Sequence, residues 1–191
     1  TPTLLQSNDY TSRPTLSGTS VYVLNCLFRS ITSGSDGGAL SSTSVKFLLI
    51  ESSSFFSCKT SDNNGGAIYF YNRDSGQCVL NEVCGYDCYS TYTSGNAYEQ
   101  FARIDVYNSI SSKNYVNYSS IARCVNEISS NSYYIMRHYY GKIFYPSVNL
   151  SMNKCSRRTI LCYPFSDSNS VTCSFSYSTF ADNIATTYTC F

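Results

Sequence analysis

The sequence predicts an all-β chain wound as a parallel β-helix, a solenoid of about 28–30 residues per coil. Three observations carry that expectation. Phe28 is followed after eight residues by Gly37-Gly38-Ala39-Leu40, Phe56 by Gly65-Gly66-Ala67-Ile68, and Tyr86 by Gly95-Asn96-Ala97-Tyr98. One unit thus recurs three times along the chain at nearly constant spacing. The apolar runs are short, as in Val21-Tyr22-Val23-Leu24 and Ile68-Tyr69-Phe70-Tyr71, and Gly, Asn and Ser separate them, which describes strands and turns rather than helices. The 191 residues carry only 13% charge, well below the roughly 25% of an average soluble protein. Polarity comes instead from 35 Ser, 16 Thr and 16 Asn, with 19 Tyr and 11 Phe, a composition that favours β structure over helix or disorder.

The elements follow in order. Residues 1–18, with Pro2, Pro14 and Gly18, read as an irregular lead-in or cap, and 19–191 as a single β-helix domain. Residues 19–104 give about three coils. Gly37-Gly38 and Gly65-Gly66 are expected to turn a corner, because glycine tolerates positive φ, and Ala39 and Ala67 to point into the crowded interior beside it. Phe28 is expected to stack on Phe56, with Leu40, Ile68 and Tyr98 in a neighbouring column. The segment at about 105–170 is less regular, and 105–130 makes at most a degenerate fourth coil. Residues 131–146 read as a strand, or as a hairpin that projects from the solenoid and turns near Gly141. Short strands resume over 147–191. Five to seven coils make a body on the order of 30 Å long.

The ten cysteines are irregularly spaced and contain no CxxC, which points away from zinc and toward disulfides formed in an oxidising compartment. Cys58 and Cys88 occupy one column of the repeat and are the candidate disulfide pair, since neighbouring strands bring Cα atoms within disulfide range. Cys78–Cys84, Cys155–Cys162 and Cys173–Cys190 are local alternatives. Two N-glycosylation sequons, at Asn117 and Asn149, agree with an extracellular or cell-surface location reached through the secretory pathway. The chain starts Thr1-Pro2-Thr3 and ends Cys190-Phe191, which suggests a processed piece of a larger parent. No apolar run approaches the roughly 18 residues of a membrane span.

The Gly-Gly-Ala-(Ile/Leu) units, with Phe-x-x-(Asn), resemble the repeats of polymorphic membrane proteins. Residues 21–104 carry the likeness, and Phe180-Ala181-Asp182-Asn183 echoes its second half. The resemblance implies a right-handed β-helix and an adhesin-like role at a cell surface. The third unit departs from the pattern by Asn96 and Tyr86, and the units at Phe28 and Phe56 lack the Asn.

Chemistry-bearing residues are sparse. The single His138 cannot build a multi-histidine metal site and reads as a surface residue. Asp36, Asp62 and Asp87 fall near the same turn, where an acid–base or calcium site is conceivable, but Asp in Ser/Asn/Gly turns ordinarily bonds its own backbone. No catalytic residue, metal or cofactor is assigned. Clustered acids with Lys or Arg on one face, as a polysaccharide lyase needs, are not evident. Between Glu127 and Asp167 there is no acid, while Arg137, Lys142, Arg157 and Arg158 alternate with tyrosines including Tyr139 and Tyr140. These six are the candidate ligand-binding residues, because arginine pairs bidentately with sulfate or carboxylate and tyrosine stacks on sugars. The net charge of +1 gives no reason to expect nucleic acid. The expected function is a non-catalytic surface or structural module meeting a host or environmental glycan or protein, or copies of itself. A lyase or glycosidase and a self-assembling filament subunit are the alternatives.

Overall fold

The computed structural model of the chain describes residues 2–62, 64–92, 98–125 and 132–187. Its described residues form strands without a helix, and every strand pair is parallel. The chain is a β-solenoid with three main walls. The first sheet stacks Thr3–Gln6, Ser20–Leu24, Phe47–Glu51, Gln77–Asn81, Lys113–Asn117, Lys142–Pro146 and Cys173–Ser176. The second stacks Asp9–Tyr10, Leu27–Arg29, Ser54–Phe56, Cys84–Tyr86, Ser120–Ala122, Asn149–Ser151 and Thr179–Ala181. The third stacks Leu40–Ser42, Ile68–Tyr71, Glu99–Asp105, Tyr134–Tyr139 and Arg158–Tyr163. Two-residue strands such as Thr32–Ser33, Lys59–Thr60 and Tyr89–Ser90 bridge the second wall to the third.

Several expectations change. The opening residues are no irregular lead-in, since Thr3–Gln6 already pairs in register with the next coil. The segment 131–146 does not project where it is described: Tyr134–Tyr139 and Lys142–Pro146 are ordinary coil strands, separated by the corner at Tyr140 and Gly141. The repeat length also varies. Successive partners in the first sheet are Val21, Leu48, Cys78, Asn114, Ile143 and Cys173. The coil from Val21 to Leu48 is the shortest of these and that from Cys78 to Asn114 the longest. Variation sits in the connections, because the strands must stay in register whatever the loops do.

The interior is a set of columns in which like sits on like. Tyr10, Phe28 and Phe55 stack with ring centroids 4.9 and 4.8 Å apart. Phe55, not Phe56, is therefore the partner of Phe28; Phe56 points outward and stacks on Tyr86. The one-residue slip arises because the span to the glycine corner is one residue longer in the second unit (Leu40 pairs with Ile68). Gly85 continues the aromatic column, and the space above its Cα belongs to Phe101, which reaches across the interior edge-on to Phe55 at 6.0 Å. A Cβ on Gly85 would overlap the Phe101 ring.

Three corners lie between the first sheet and the third, apart from the passage that returns from the third sheet to the first. At the first, Ser7, Asn25, Ser52, Glu82, Tyr118, Ser147 and Tyr177 all have positive φ. The next residue can seal the corner: Ser53, Ser119 and Ser178 accept the backbone N–H of Cys26, Val83 and Val148 from the coil before (3.0, 3.0 and 3.2 Å). At the second corner, Ser30, Ser57, Asp87, Arg123, Met152 and Asp182 take positive φ. The following column runs Ile31, Cys58, Cys88, Cys124, Asn153 and Asn183. Asn153 accepts the Cys124 N–H (2.9 Å), and Asn183 accepts that of Asn153 (3.1 Å). The Phe-x-x-Asn echo is thus a corner seal that also occurs as Leu150-x-x-Asn153, with cysteine in its place in three earlier coils.

The glycine corner is the third. Gly37 and Gly65 have φ of 75° and 59°. A Cβ on Gly38 or Gly66 would overlap the carbonyl oxygen of Gly66 or Gln100 in the next coil. The expected third copy, Gly95-Asn96-Ala97, lies outside the described residues. Ile68 pairs with Ala102, however, so Tyr98 is not in the Leu40 and Ile68 column.

The aromatic column yields a test. Gly85→Ile, which imitates Ile121 one coil later, should cost about 1–3 kcal/mol by overpacking. Phe101→Ala should cost about 3–5 kcal/mol. In the double variant the isoleucine fills the vacated space, so chemical unfolding should show a combined loss below the sum of the two. Strict additivity would mean that the two side chains do not share one space.

Candidate functional site

The outer face of the third sheet gathers most of the buried charge. Its parallel register places Tyr69, Arg103 and Arg137 in one column and Tyr71, Asp105, Tyr139 and Tyr163 in the next. Asp105 is fully buried and receives Arg73 at 2.6 Å and Arg103 at 3.2 Å. Arg103 also donates to Asn64 Oδ1 (2.7 Å), and Asn64 donates to both carboxylate oxygens of Asp36 (3.0 Å each). Arg137 Nε lies 2.8 Å from Glu99 Oε1, out of line for a hydrogen bond, so that contact is one of charge. Tyrosine rings cover the guanidinium groups. Arg73 lies over Tyr71, Tyr139 and Tyr140 at 5.0, 5.2 and 5.1 Å from the ring centroids. Arg103 lies over Tyr69 and Tyr71 at 5.7 and 5.4 Å, and Arg137 over Tyr98 and Tyr139 at 5.4 and 5.0 Å.

Clustered acids and arginines therefore do share one face. Asp36, Glu99 and Asp105 face Arg73, Arg103 and Arg137, three acids against three arginines. The repeat did not reveal the cluster, because its third-sheet strands are set further apart along the chain than the Phe and Gly-Gly-Ala units. Tyr69 pairs with Arg103, and Arg103 with Arg137. The signal was Tyr69-x-Tyr71, Arg103-x-Asp105 and Arg137-x-Tyr139 at that wider, constant spacing.

The six candidate ligand-binding residues divide. Arg137, Tyr139 and Tyr140 join this panel, but Arg137 is buried against Glu99, from a coil the linear charge count did not reach. Arg157 lies 3.6 Å above the Tyr133 ring, which contacts Tyr98 beside Arg137. Arg158 opens the next third-sheet strand opposite Tyr134. Lys142 lies round the corner on the first sheet, opposite Lys113. Of the sequons, Asn149 is exposed and Asn117 half-buried.

His138 is no surface residue. It is fully buried beneath this sheet, with Nδ1 2.6 Å from Asn114 Oδ1, its ring edge-on to Tyr145 at 5.3 Å, and no partner for Nε2 among the described residues. The acceptor on Asn114 makes Nδ1 the protonated nitrogen. Burial pushes its pKa down to about 3. Burial likewise pushes the Glu99 carboxyl up to about 8, against the pull of Arg137 and Arg103. Among the described residues, no group of three or more His, Cys, Asp or Glu is placed to hold a metal.

No disulfide is present among the described cysteines. Cys58 and Cys88 are stacked neighbours as expected, each donating its thiol to a strand carbonyl, of Phe28 (3.4 Å) and Phe55 (3.5 Å). The physical reason lies in the register. Parallel side chains in one column keep the strand spacing of about 4.8 Å at Cβ, beyond the roughly 3.5–4.5 Å that a disulfide needs. Cys190 lies outside the described residues. Asp87 accepts Ser57 Oγ at a positive-φ corner (2.7 Å), a turn role.

A second surface is apolar. On the outer face of the first sheet, Leu4, Tyr22, Leu49, Val79, Tyr115 and Phe144 form one unbroken column. A shallow groove of about 360 Å³ beside it is lined by Pro2, Phe47 and Lys113 as well. Tyr115 and Phe144 stack at 5.2 Å and 14°, so their ring faces meet each other and their edges meet solvent. Comparison with protein-family models, characterised proteins and solved structures gives no match.

Two tests follow from the buried charges. Asp105→Ala strands Arg73 and Arg103 and should cost about 3–5 kcal/mol in urea unfolding. Stability should also respond to pH in opposite senses at two sites. Unfolded His138 protonates near 6.5 and the folded group only near 3, so its contribution falls as pH drops through that interval. Unfolded Glu99 ionises near 4.5 and the folded group near 8, so its contribution falls as pH rises through that interval. Each slope is at most about 1.4 kcal/mol per pH unit. Glu99→Gln should flatten the neutral-to-alkaline loss and leave the acid limb steep; an unchanged alkaline limb would contradict the assignment.

Proposed function

We propose that the chain is a non-catalytic structural or adhesin-like module of an extracellular or cell surface, and that its first-sheet wall docks against a protein. The carrying observation is the outward column from Leu4 to Phe144, six aliphatic or aromatic side chains held at strand spacing on a rigid, in-register sheet. Glycan binding has less support. The arginines are engaged by carboxylates or rings, and the stacked aromatic pairs turn their faces to each other rather than to a sugar. The cysteine content, the two sequons and the resemblance to polymorphic membrane protein repeats favour the surface location.

A catalytic reading draws on the acid–arginine–tyrosine panel of the third sheet. Against it, Glu99 and Asp105 have no exposed side-chain surface, and both Asp105 contacts are arginines of the same fold.

The test sets Leu49→Lys with Val79→Lys on the wall against Arg157→Ala with Arg158→Ala. Both are probed with extracellular-matrix proteins, with a glycan array that includes sulfated and uronic polysaccharides at low and high salt, and by sedimentation. The proposal expects protein binding that the wall variant reduces at least tenfold with the β spectrum unchanged. Salt-sensitive glycan binding lost only in the arginine variant would overturn it, and turnover of any polysaccharide would replace it with the catalytic reading.

A further inference from the structure

Cys162 and Cys173 come from two different sheets, unlike the stacked pair Cys58 and Cys88. Cys162 is the penultimate residue of the third-sheet strand Arg158–Tyr163, and Cys173 opens the first-sheet strand Cys173–Ser176. They thus mark the two ends of the connection 164–172, the longest passage from third sheet to first. Its counterparts are 43–46, 72–76, 106–112 and 140–141. In the coil beyond it, no residue of the three strands is fully buried.

The two inner columns concerned approach each other at this corner. One runs Phe70, Ile104, His138 and Cys162; the other runs Leu48, Cys78, Asn114, Ile143 and Cys173. Asn114 and His138 already bond across them at 2.6 Å. Cys162 and Cys173 lie on these two columns at the two ends of the connection, thiol to thiol, and both are half-buried. Because they come from two sheets, their Cβ atoms are not locked at strand spacing as those of Cys58 and Cys88 are.

We infer that Cys162 and Cys173 are a redox-modification site, which a small-molecule disulfide converts into an intramolecular disulfide that fastens the last coil to the third sheet. The Cys173 thiolate attacks one sulfur of the small disulfide, forms a mixed disulfide and releases one thiolate. Cys162 then loses its proton to solvent and attacks the Cys173 sulfur, releasing the second small thiol. Two protein thiols and one small disulfide become one protein disulfide and two small thiols. The Cys162 hydrogen bond holds the Cys173 thiol below its ordinary range, which suits it as the attacking group. The bond would take the place of the tight corner that Tyr140 and Gly141 supply one coil earlier.

The experiment exposes the folded, reduced chain to oxidised glutathione, blocks the remaining thiols, and maps unreduced peptides by mass. A cross-linked pair two hydrogens lighter, joining Cys162 to Cys173, is expected before any link at Cys58, Cys88 or Cys124. Cleavage within 164–172 by a protease should slow severalfold on oxidation and recover on reduction. Cys162→Ser should trap glutathione on Cys173 and abolish the protease protection. If both cysteines stay alkylatable in the folded wild-type chain, or either links elsewhere, the inference fails, and peptide mapping of the wild type decides this even if the variant misfolds.

Discussion

In-register parallel stacking is the constraint on which the molecule depends. Each strand gives its backbone groups to the coil on either side, so every residue sits about 4.8 Å from its counterparts in the neighbouring coils. A column must then tolerate repetition. Aromatic rings do so by stacking, as from Tyr10 to Phe55. Like charges stack at a cost, as Arg103 on Arg137 and Lys113 on Lys142 do, which suits a chain that is only 13% charged and carries its polarity on hydroxyls and amides. Where charge is used, opposite signs come from neighbouring coils, as Asp105 lies against both Arg73 and Arg103.

The corners solve the complementary problem. A sharp bend takes a residue to positive φ and leaves a backbone N–H unpaired by the ladder. Serine after the first bend and asparagine after the second accept that N–H from the coil before. Cysteine occupies the asparagine column in three coils and bonds a strand carbonyl instead. The cysteine count, which suggested a disulfide framework, is thus partly a packing preference for a small, buried, weakly polar side chain. The last corner differs, because there two thiols from different sheets meet.

The functional reading rests on what this frame leaves unspent. The third sheet uses its charges and ring faces internally, so Arg137, in the most basic stretch of the sequence, is packed against Glu99 rather than turned outward. The first sheet, by contrast, turns an unbroken apolar column outward on a wall seven strands tall. Such a face is a feature of surfaces that meet other surfaces. Rigidity comes from the same in-register bonding that forms the core.

The sequence alone determined the class of fold. Gly37-Gly38-Ala39 and Gly65-Gly66-Ala67 mark a corner where a Cβ has no room, and short apolar runs between Ser and Asn turns can form only brief strands. It also placed Cys58 and Cys88 in one column. It did not determine register: Phe28 meets Phe55 because loops between strands differ by a residue, and a loop's length is not constrained by the ladder it joins. Nor did it determine the charge panel or the burial of His138. Tyr134–Tyr139 is covered on both faces, so its sequence shows no alternation, and the partners of Arg137 and His138 are Glu99 and Asn114, in strands that precede it. Which side chains become neighbours across coils was decided by tertiary winding, because a solenoid joins residues by their height along its axis rather than by their distance along the chain.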